Sequence, residues 1–513
     1  MNRSILIAGL ALAVAGCDVA ALEDAVDDVR IILDVESQST SVSGLVVDAQ
    51  TGDLVAGAVT VTFSSPTAGA VVDDFGDPIS GGPVEGGAFG FSVLDALAPT
   101  MSAPVEVAVS VQAEGYLPQR RVIALADTGA YDLTVELFAD GAEGEGLATA
   151  EGRGEASAEG GTAAPVAVTA APATGAGAAA VSVPSGTVFA DAQGRPLGGA
   201  LAVSLTAFDP SSPALRAVPE LPGGALALGG AVVSARVGGR AAASAGGAGV
   251  ELEAALPAVD PATGRPFAPG DVVEALAYDA EAGAWVSAGQ ATVRASSART
   301  GRLAGVSVAV KVRRVGGYVA FVRAGVPLQT VTVRVARNGN EGPLDAVVAA
   351  AGFVGTARIP AGQSEAAVKV PANAGRVRTG VLYRGRFYGA ADAQTCTSCA
   401  VSLPTPEPPV TIRVTPVCKD ATKKVYLGTL PAFAVNVREQ GTRAWFSLGT
   451  VSDVERAADG AIVRLTKRTT DLRAGTTYDV VGQYLKETFR DAYTVPASGT
   501  VEETFEVPDA LCQ

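Results

Sequence analysis

The sequence predicts an all-β, multi-domain string of antiparallel sandwiches, and three observations carry that prediction. Hydrophobic residues make up 48% of the chain but aromatic ones only 5%, so Ala and Val supply the apolar content, and Val favours strands. The 61 glycines and 30 prolines punctuate such strands with turns. Strand-like alternation recurs from Ser41 onward, in a chain of 513 residues that is long enough for three or four cores of ordinary size.

The first element is not a strand. Arg3 gives a positive start, Ile5 to Val14 an apolar run too short to span a bilayer, and Val14-Ala15-Gly16-Cys17 a small-residue cleavage site ending in cysteine. This stretch resembles the lipobox of bacterial lipoproteins. The resemblance implies a signal peptide over 1–16, cleavage before Cys17, a diacylglyceryl thioether on its sulfur, and anchoring through two or more acyl chains. It also implies a bacterial cell-envelope location with the membrane as a partner. Asp18 resembles the inner-membrane retention signal of enteric bacteria, a rule that does not transfer between bacterial groups, so inner and outer membrane both stay open. Over 17–40, Val19, Leu22, Val26, Val29 and Leu33 recur at helical spacing in an acidic setting, which predicts a short helical tether.

From Ser41 the pattern becomes β. Gly44-Leu45-Val46-Val47-Asp48 and Leu54 to Val61 flank an Asp/Thr/Gly turn. Phe89 to Val93, the alternating Val105, Val107, Val109 and Val111, and Tyr131 to Leu137 follow, with Pro66 to Ala88 reading as an inserted loop. The G-x-V-V-D-A-x-T-G-x-x-V-x-G-A-x-V phrase at Gly44 to Val59, with Ala113-Glu114-Gly115-Tyr116 ahead of Arg120 and Arg121, resembles the carboxypeptidase regulatory-like domain. That resemblance covers 41–138 and implies a non-catalytic, prealbumin-like sandwich, often grouped with carbohydrate-binding folds.

Residues 139–180 are dominated by Ala, Gly, Glu, Thr and Ser, and so read as a flexible linker unable to bury enough surface to offset its ordering entropy. A second sandwich is expected over 181–326. Its opening, Val181-Ser182-Val183-Pro184-Ser185-Gly186-Thr187-Val188-Phe189, is similar to β-sandwich modules of bacterial surface proteins and of the cartilage intermediate layer protein, which implies an Ig-like extracellular scaffold. A third β region over 327–403 and a C-terminal β domain over 410–513 follow, divided by Pro404, Pro406, Pro408 and Pro409 as a stiff hinge.

Composition narrows the chemistry. The formal charge of −15 repels nucleic acid, and no nucleic-acid partner is expected. No histidine is present, which removes Ser/His/Asp and Cys/His catalysis and His-based zinc sites. With Cys17 lipidated, Cys396, Cys399, Cys418 and Cys512 remain, an even set that reads as two structural disulfides in one of three connectivities. The favoured reading joins Cys396 and Cys399 to Cys418 and Cys512; the alternative closes Cys396 on Cys399 locally. Cys396-Thr397-Ser398-Cys399 also has the C-x-x-C form of a redox site or half a zinc site, but no second pair follows and the flanks read as loop.

Asp73, Asp74 and Asp77 could offer calcium oxygen ligands, against the plain reading of solvated turn residues. Asp48, Asp53, Asp191 and Asp209 sit where turns need side-chain caps. Trp285, Trp445, Tyr116, Tyr278 and Tyr318 could stack on sugar rings, but aromatics in alternating strands are ordinarily core. The expectation is a lipid-anchored, non-catalytic binding or scaffold ectodomain without cofactor, meeting a glycan or an envelope protein. A carbohydrate- or peptidoglycan-binding lipoprotein is the alternative, and a carboxylate-based hydrolase the third class.

Overall fold

The computed structural model describes residues 38–513 apart from 74–75, 145, 174–176, 213–214, 216–217, 281, 297–304, 341, 351, 374–375, 384–385, 390–394, 427–433, 450–452, 485–486, 508–511 and 513. The expected signal peptide, Cys17, Asp74 and nearly all of the expected tether lie outside the described residues. The tether's expected end at residue 40 is corrected, because Thr40 already belongs to the first strand, Thr40–Asp48. Among the described residues the regular structure is strands and short 3-10 turns, and no helix is long and apolar enough to cross a membrane.

The first sandwich runs from Thr40–Asp48 to Gly129–Leu137 and stacks two four-stranded sheets. Alternation decides which faces meet. Val59 and Val61 on one strand and Val105, Val107, Val109 and Val111 on its neighbour point inward, against Phe89, Phe91 and Val135 of the opposite sheet. Gly44 lies across from Phe89 in the antiparallel register, and a Cβ there would fall 2.1 Å from the phenyl ring, so the glycine makes room for the aromatic. The Pro66 to Ala88 stretch is more than an inserted loop. Val71–Val72 and Gly81–Val84 add an edge strand to each sheet.

The second sandwich corrects the expected linker. Leu147–Ala156, Val166–Ala170 and Ala179–Val183 are strands, and the unit extends to Gly317–Arg323 as one 11-stranded sheet folded over on itself. Ala284–Ser296 makes the fold, pairing with Val272–Asp279 along its first part and with Gly305–Val312 at its end. The small residues that suggested disorder are a packing requirement. A Cβ on Gly152 would sit 2.5 Å from Val168 Cγ2, and one on Gly154 2.7 Å from Val166 Cγ2; the two end strands of the sheet lie against each other only because these positions lack side chains. We expect Gly152→Val to destabilise this sandwich by about 1 to 3 kcal/mol, read as a lower urea midpoint. A flexible linker at this position would tolerate the change silently.

The third sandwich spans Leu328–Ala336 to Ser398–Ser402 and the fourth Val410–Val417 to Thr500–Glu506. In the first, third and fourth units the opening strand pairs in parallel with the closing strand. That shared closure binds each unit's two ends together and marks where one stops and the next begins. Residues 404–409 between the last two carry no regular structure. The chain entering them is gripped by Asn338, whose Nδ2 donates to Leu403 O at 2.5 Å, and Asn340, whose Nδ2 donates to Pro404 O at 2.7 Å.

Candidate functional site

The cysteines close as two disulfides, Cys396 to Cys399 and Cys418 to Cys512. This is the local connectivity, not the cross-joined one favoured above. The first bridge reaches into the core of the third sandwich, where Cys399 is buried. The second packs with Val425 and Val507 and ties the fourth sandwich's first strand to the end of the chain.

In the acidic loop Asp73 and Asp77 bond to each other, and Asp74 lies outside the described residues. Asp77 N donates to Asp73 Oδ1 at 3.0 Å and Asp73 N to Asp77 O at 2.9 Å. Among the described residues no group of three or more His, Cys, Asp or Glu could hold a metal ion. Asp48, Asp191 and Asp209 cap their own turns as expected, each accepting the backbone N–H two residues ahead at 2.8 to 3.0 Å. Asp53 does something the sequence did not indicate: while still bonded to Thr51 of its own turn, it meets Arg438, almost 400 positions away, at 2.9 Å, and that contact above all holds its carboxyl below the ordinary range.

Four of the five aromatic candidates, Tyr278, Tyr318, Trp285 and Trp445, are spent on joining sandwiches. Tyr278 and Tyr318 are buried with Leu117 and Phe138 of the first sandwich, and Trp285 packs at the margin of that cluster. Trp285 Nε1 donates to Glu220 O at 3.0 Å, while Glu220 Oε2 accepts from Val122 N of the first sandwich at 3.0 Å. Tyr116 is half-buried against the first sandwich's own core. Burial raises the Tyr278 and Tyr318 hydroxyls above their ordinary range, so they stay neutral.

Trp445 belongs to a second junction, built from polar and apolar contacts together. The tight turn at Gly52 has φ +74°, and a Cβ there would lie 2.6 Å from Arg443 Cα of the fourth sandwich. Its carbonyl accepts two hydrogen bonds, from Trp445 Nε1 at 2.8 Å and from Arg438 Nη1 at 2.8 Å. Arg438 also meets Asp479 Oδ2 at 2.7 Å and lies 4.9 Å from the centre of the Trp445 ring system. Leu45, Val47 and Ala88 of the first sandwich bury Trp445 and Val481 of the fourth. Asn436 Nδ2 to Ser43 Oγ at 3.1 Å and Arg490 Nη2 to Gly86 O at 2.5 Å extend the contact. The turn that carries the regulatory-like phrase is thus the socket for another part of the same chain.

The third sandwich docks as well. Arg358 Nη2 donates to Ala130 O at 3.1 Å, and its guanidinium lies 3.8 Å over the Tyr131 ring. Second and third sandwiches share backbone bonds, Ala227 N to Gly352 O at 3.0 Å and Gly352 N to Pro210 O at 2.9 Å. Third and fourth share Arg386 and Glu439. The first sandwich therefore touches each of the other three. Apart from these junctions there are shallow grooves of about 450 Å³ and 410 Å³, one across the three-stranded sheet at Arg334, Glu365 and Ser402, the other beside Leu147, Thr149 and Thr169.

No family model matches the chain. No curated protein matches it either. Among solved structures, a protein from Bacteroides ovatus described as a "putative adhesin" aligns at 9% identity over 36% of this chain and 88% of its own, with a TM-score of 0.15. A biofilm-associated protein BSP domain aligns at 10% identity over 91% of this chain and 98% of its own, with a TM-score of 0.10. At these scores neither likeness bears on what this chain binds.

Proposed function

We propose that the chain is a lipid-anchored protein of the bacterial cell envelope whose sandwiches form one interlocked, non-catalytic binding scaffold. The observation that carries this reading is the use made of recognition chemistry: Trp445, Arg438, Asp53 and Trp285, the side chains best suited to seize a ligand, instead hold sandwich to sandwich. Such junctions resist relative motion and suit a part that bears a load or holds a spacing. Binding to a glycan or an envelope protein then falls to the outer faces and loops. A sugar-stacking reading that uses the aromatics singled out in the sequence loses its platforms, since Trp445, Tyr278 and Tyr318 are buried and Trp285 is half-buried against Glu220.

The anchoring half of the proposal is tested at Cys17. In a bacterial host, the unaltered chain is expected in the detergent phase of a phase partition, and Cys17→Ser in the aqueous phase. Mass spectrometry that finds an unmodified Cys17 peptide in the mature, unaltered protein would refute anchoring. The binding half is tested with isolated cell wall and a polysaccharide panel. Saturable binding abolished by Trp285→Ala would return the reading to a carbohydrate-binding module.

A further inference from the structure

Three of the four sandwiches are closed in one way and the second in another. Thr40–Asp48 lies parallel to Gly129–Leu137 along its whole length, Thr332 to Ala336 parallel to Ser398–Ser402, and Thr411 to Val417 parallel to Thr500–Glu506. In such a pair the chain enters at one end and leaves at the other, so tension along the chain slides the two strands past each other. The hydrogen bonds run across the strands and take that load together. In the fourth sandwich the bridge between Cys418 and Cys512 passes tension directly from one to the other and keeps the loop it closes out of the load path.

The second sandwich opens on the end strand of its sheet. Within that sheet Leu147–Ala156 pairs on one side only, antiparallel to Gly199–Phe208, with Leu147 opposite Phe208. Next along, Ala207 is opposite Ala231, and Ala231 is opposite Val319 on the closing strand, whose last residue is Arg323. Entry at Leu147 and exit at Arg323 thus lie at the same end of the sheet. Tension there opens the pairing from Leu147 onward, bond after bond. Asp209 N to Gly146 O at 2.8 Å and the Thr149 and Thr206 hydroxyl pair at 2.9 Å are the first contacts to meet the load. Little burial opposes it, since only Leu147 and Ala156 of this strand are buried.

We propose that the second sandwich is a tension-released extender: load between the first sandwich and a partner held farther along the chain strips Leu147–Ala156 from its sheet and unravels the second sandwich, while the first, third and fourth stay folded. The inference rests on the anchored, binding reading above and gives that load a limit and a consequence. Once Leu147–Ala156 has gone, Val166 and Val168 lose the backbone at Gly152 and Gly154 on which they pack, and Gly199–Phe208 becomes the next end strand to be peeled. Forced unfolding is governed by the unfolding rate, so it is the direction of loading, not the equilibrium stability of each sandwich, that sets the order.

Single-molecule force spectroscopy of the chain, held ahead of Gln38 and at Gln513, tests this because each sandwich releases a different length. At about 3.4 Å per residue the second adds about 600 Å, the first about 330 Å and the third about 250 Å, while the intact Cys418 to Cys512 bridge keeps the fourth short. Undocking steps of small extension are expected first, then a release of about 600 Å at lower force than the two that follow. A Gly/Ser run inserted at the exposed Gly238-Gly239 turn is expected to lengthen that release and no other. Held instead at Ser157, just beyond the far end of the opening strand, and at Gln513, the second sandwich is loaded from opposite ends and is expected to yield at higher force. A first release of about 330 or 250 Å, or an insertion that lengthens a later release, overturns the extender. So does an equal yield force for the second sandwich from the two attachment points. None of these outcomes depends on lipid at Cys17, so the extender and the anchoring fail separately.

Discussion

Replacing Trp445 by alanine is expected to cost about 3 to 5 kcal/mol and to loosen the fourth sandwich from the first. The indole is 6% exposed and fills the space between Leu45, Val47 and Ala88 on one side and Val481 on the other. Its removal leaves a cavity at a junction. It also leaves the Gly52 carbonyl with one donor instead of two, and takes away the ring beside Arg438. Trp445→Phe keeps most of the apolar area and loses the Nε1 hydrogen bond, so it should cost only about 1 kcal/mol. The measurement is a urea unfolding series followed by probes in the first and fourth sandwiches. Coupled unfolding in the unaltered chain that becomes two separate transitions in Trp445→Ala is the expected result. A midpoint unmoved by the alanine substitution would mean that the two sandwiches do not depend on each other.

The disulfides are expected to differ sharply in worth. Cys418 and Cys512 are separated by 94 positions and Cys396 and Cys399 by 3. In the chain-entropy view, the long loop gives about 4 to 5 kcal/mol and the short one about 2. Cys512→Ser should therefore lower the unfolding midpoint of the fourth sandwich by roughly twice as much as Cys399→Ser lowers that of the third, under oxidising conditions. The consequence is geometric as well as energetic. The bridge holds the end of the chain beside Val425 and Val507, next to the parallel pairing of Val410–Val417 with Thr500–Glu506. Equal losses, or no loss from Cys512→Ser, would show that the parallel pairing alone secures the end.

What the sequence made legible follows from how local the signal is. Val105, Val107, Val109 and Val111 alternate within one strand, and the structure buries them on one face. The Asp48 turn caps itself within a few positions, and it too was readable. Residues 147–180 were misread because the rule that small, polar segments lack a core fails where two backbones approach closely; Gly152 and Gly154 are packed by Val168 and Val166, not solvated. The Trp445 and Gly52 contact spans 393 positions, and nothing in either local stretch announces the other. Cysteine parity gave two disulfides but not their pairing, since pairing is decided by which strands close each sandwich.

The central claim is that the sandwiches are interlocked around the first instead of strung along a flexible linker. Small-angle X-ray scattering of the soluble chain, freed of residues 1–37, tests it most directly. A single packed body of this length should show a radius of gyration of about 23 Å, by the scaling for compact chains, with a bell-shaped Kratky profile. A radius above roughly 35 Å with a rising Kratky tail, as independent sandwiches on a long linker would give, would contradict the account.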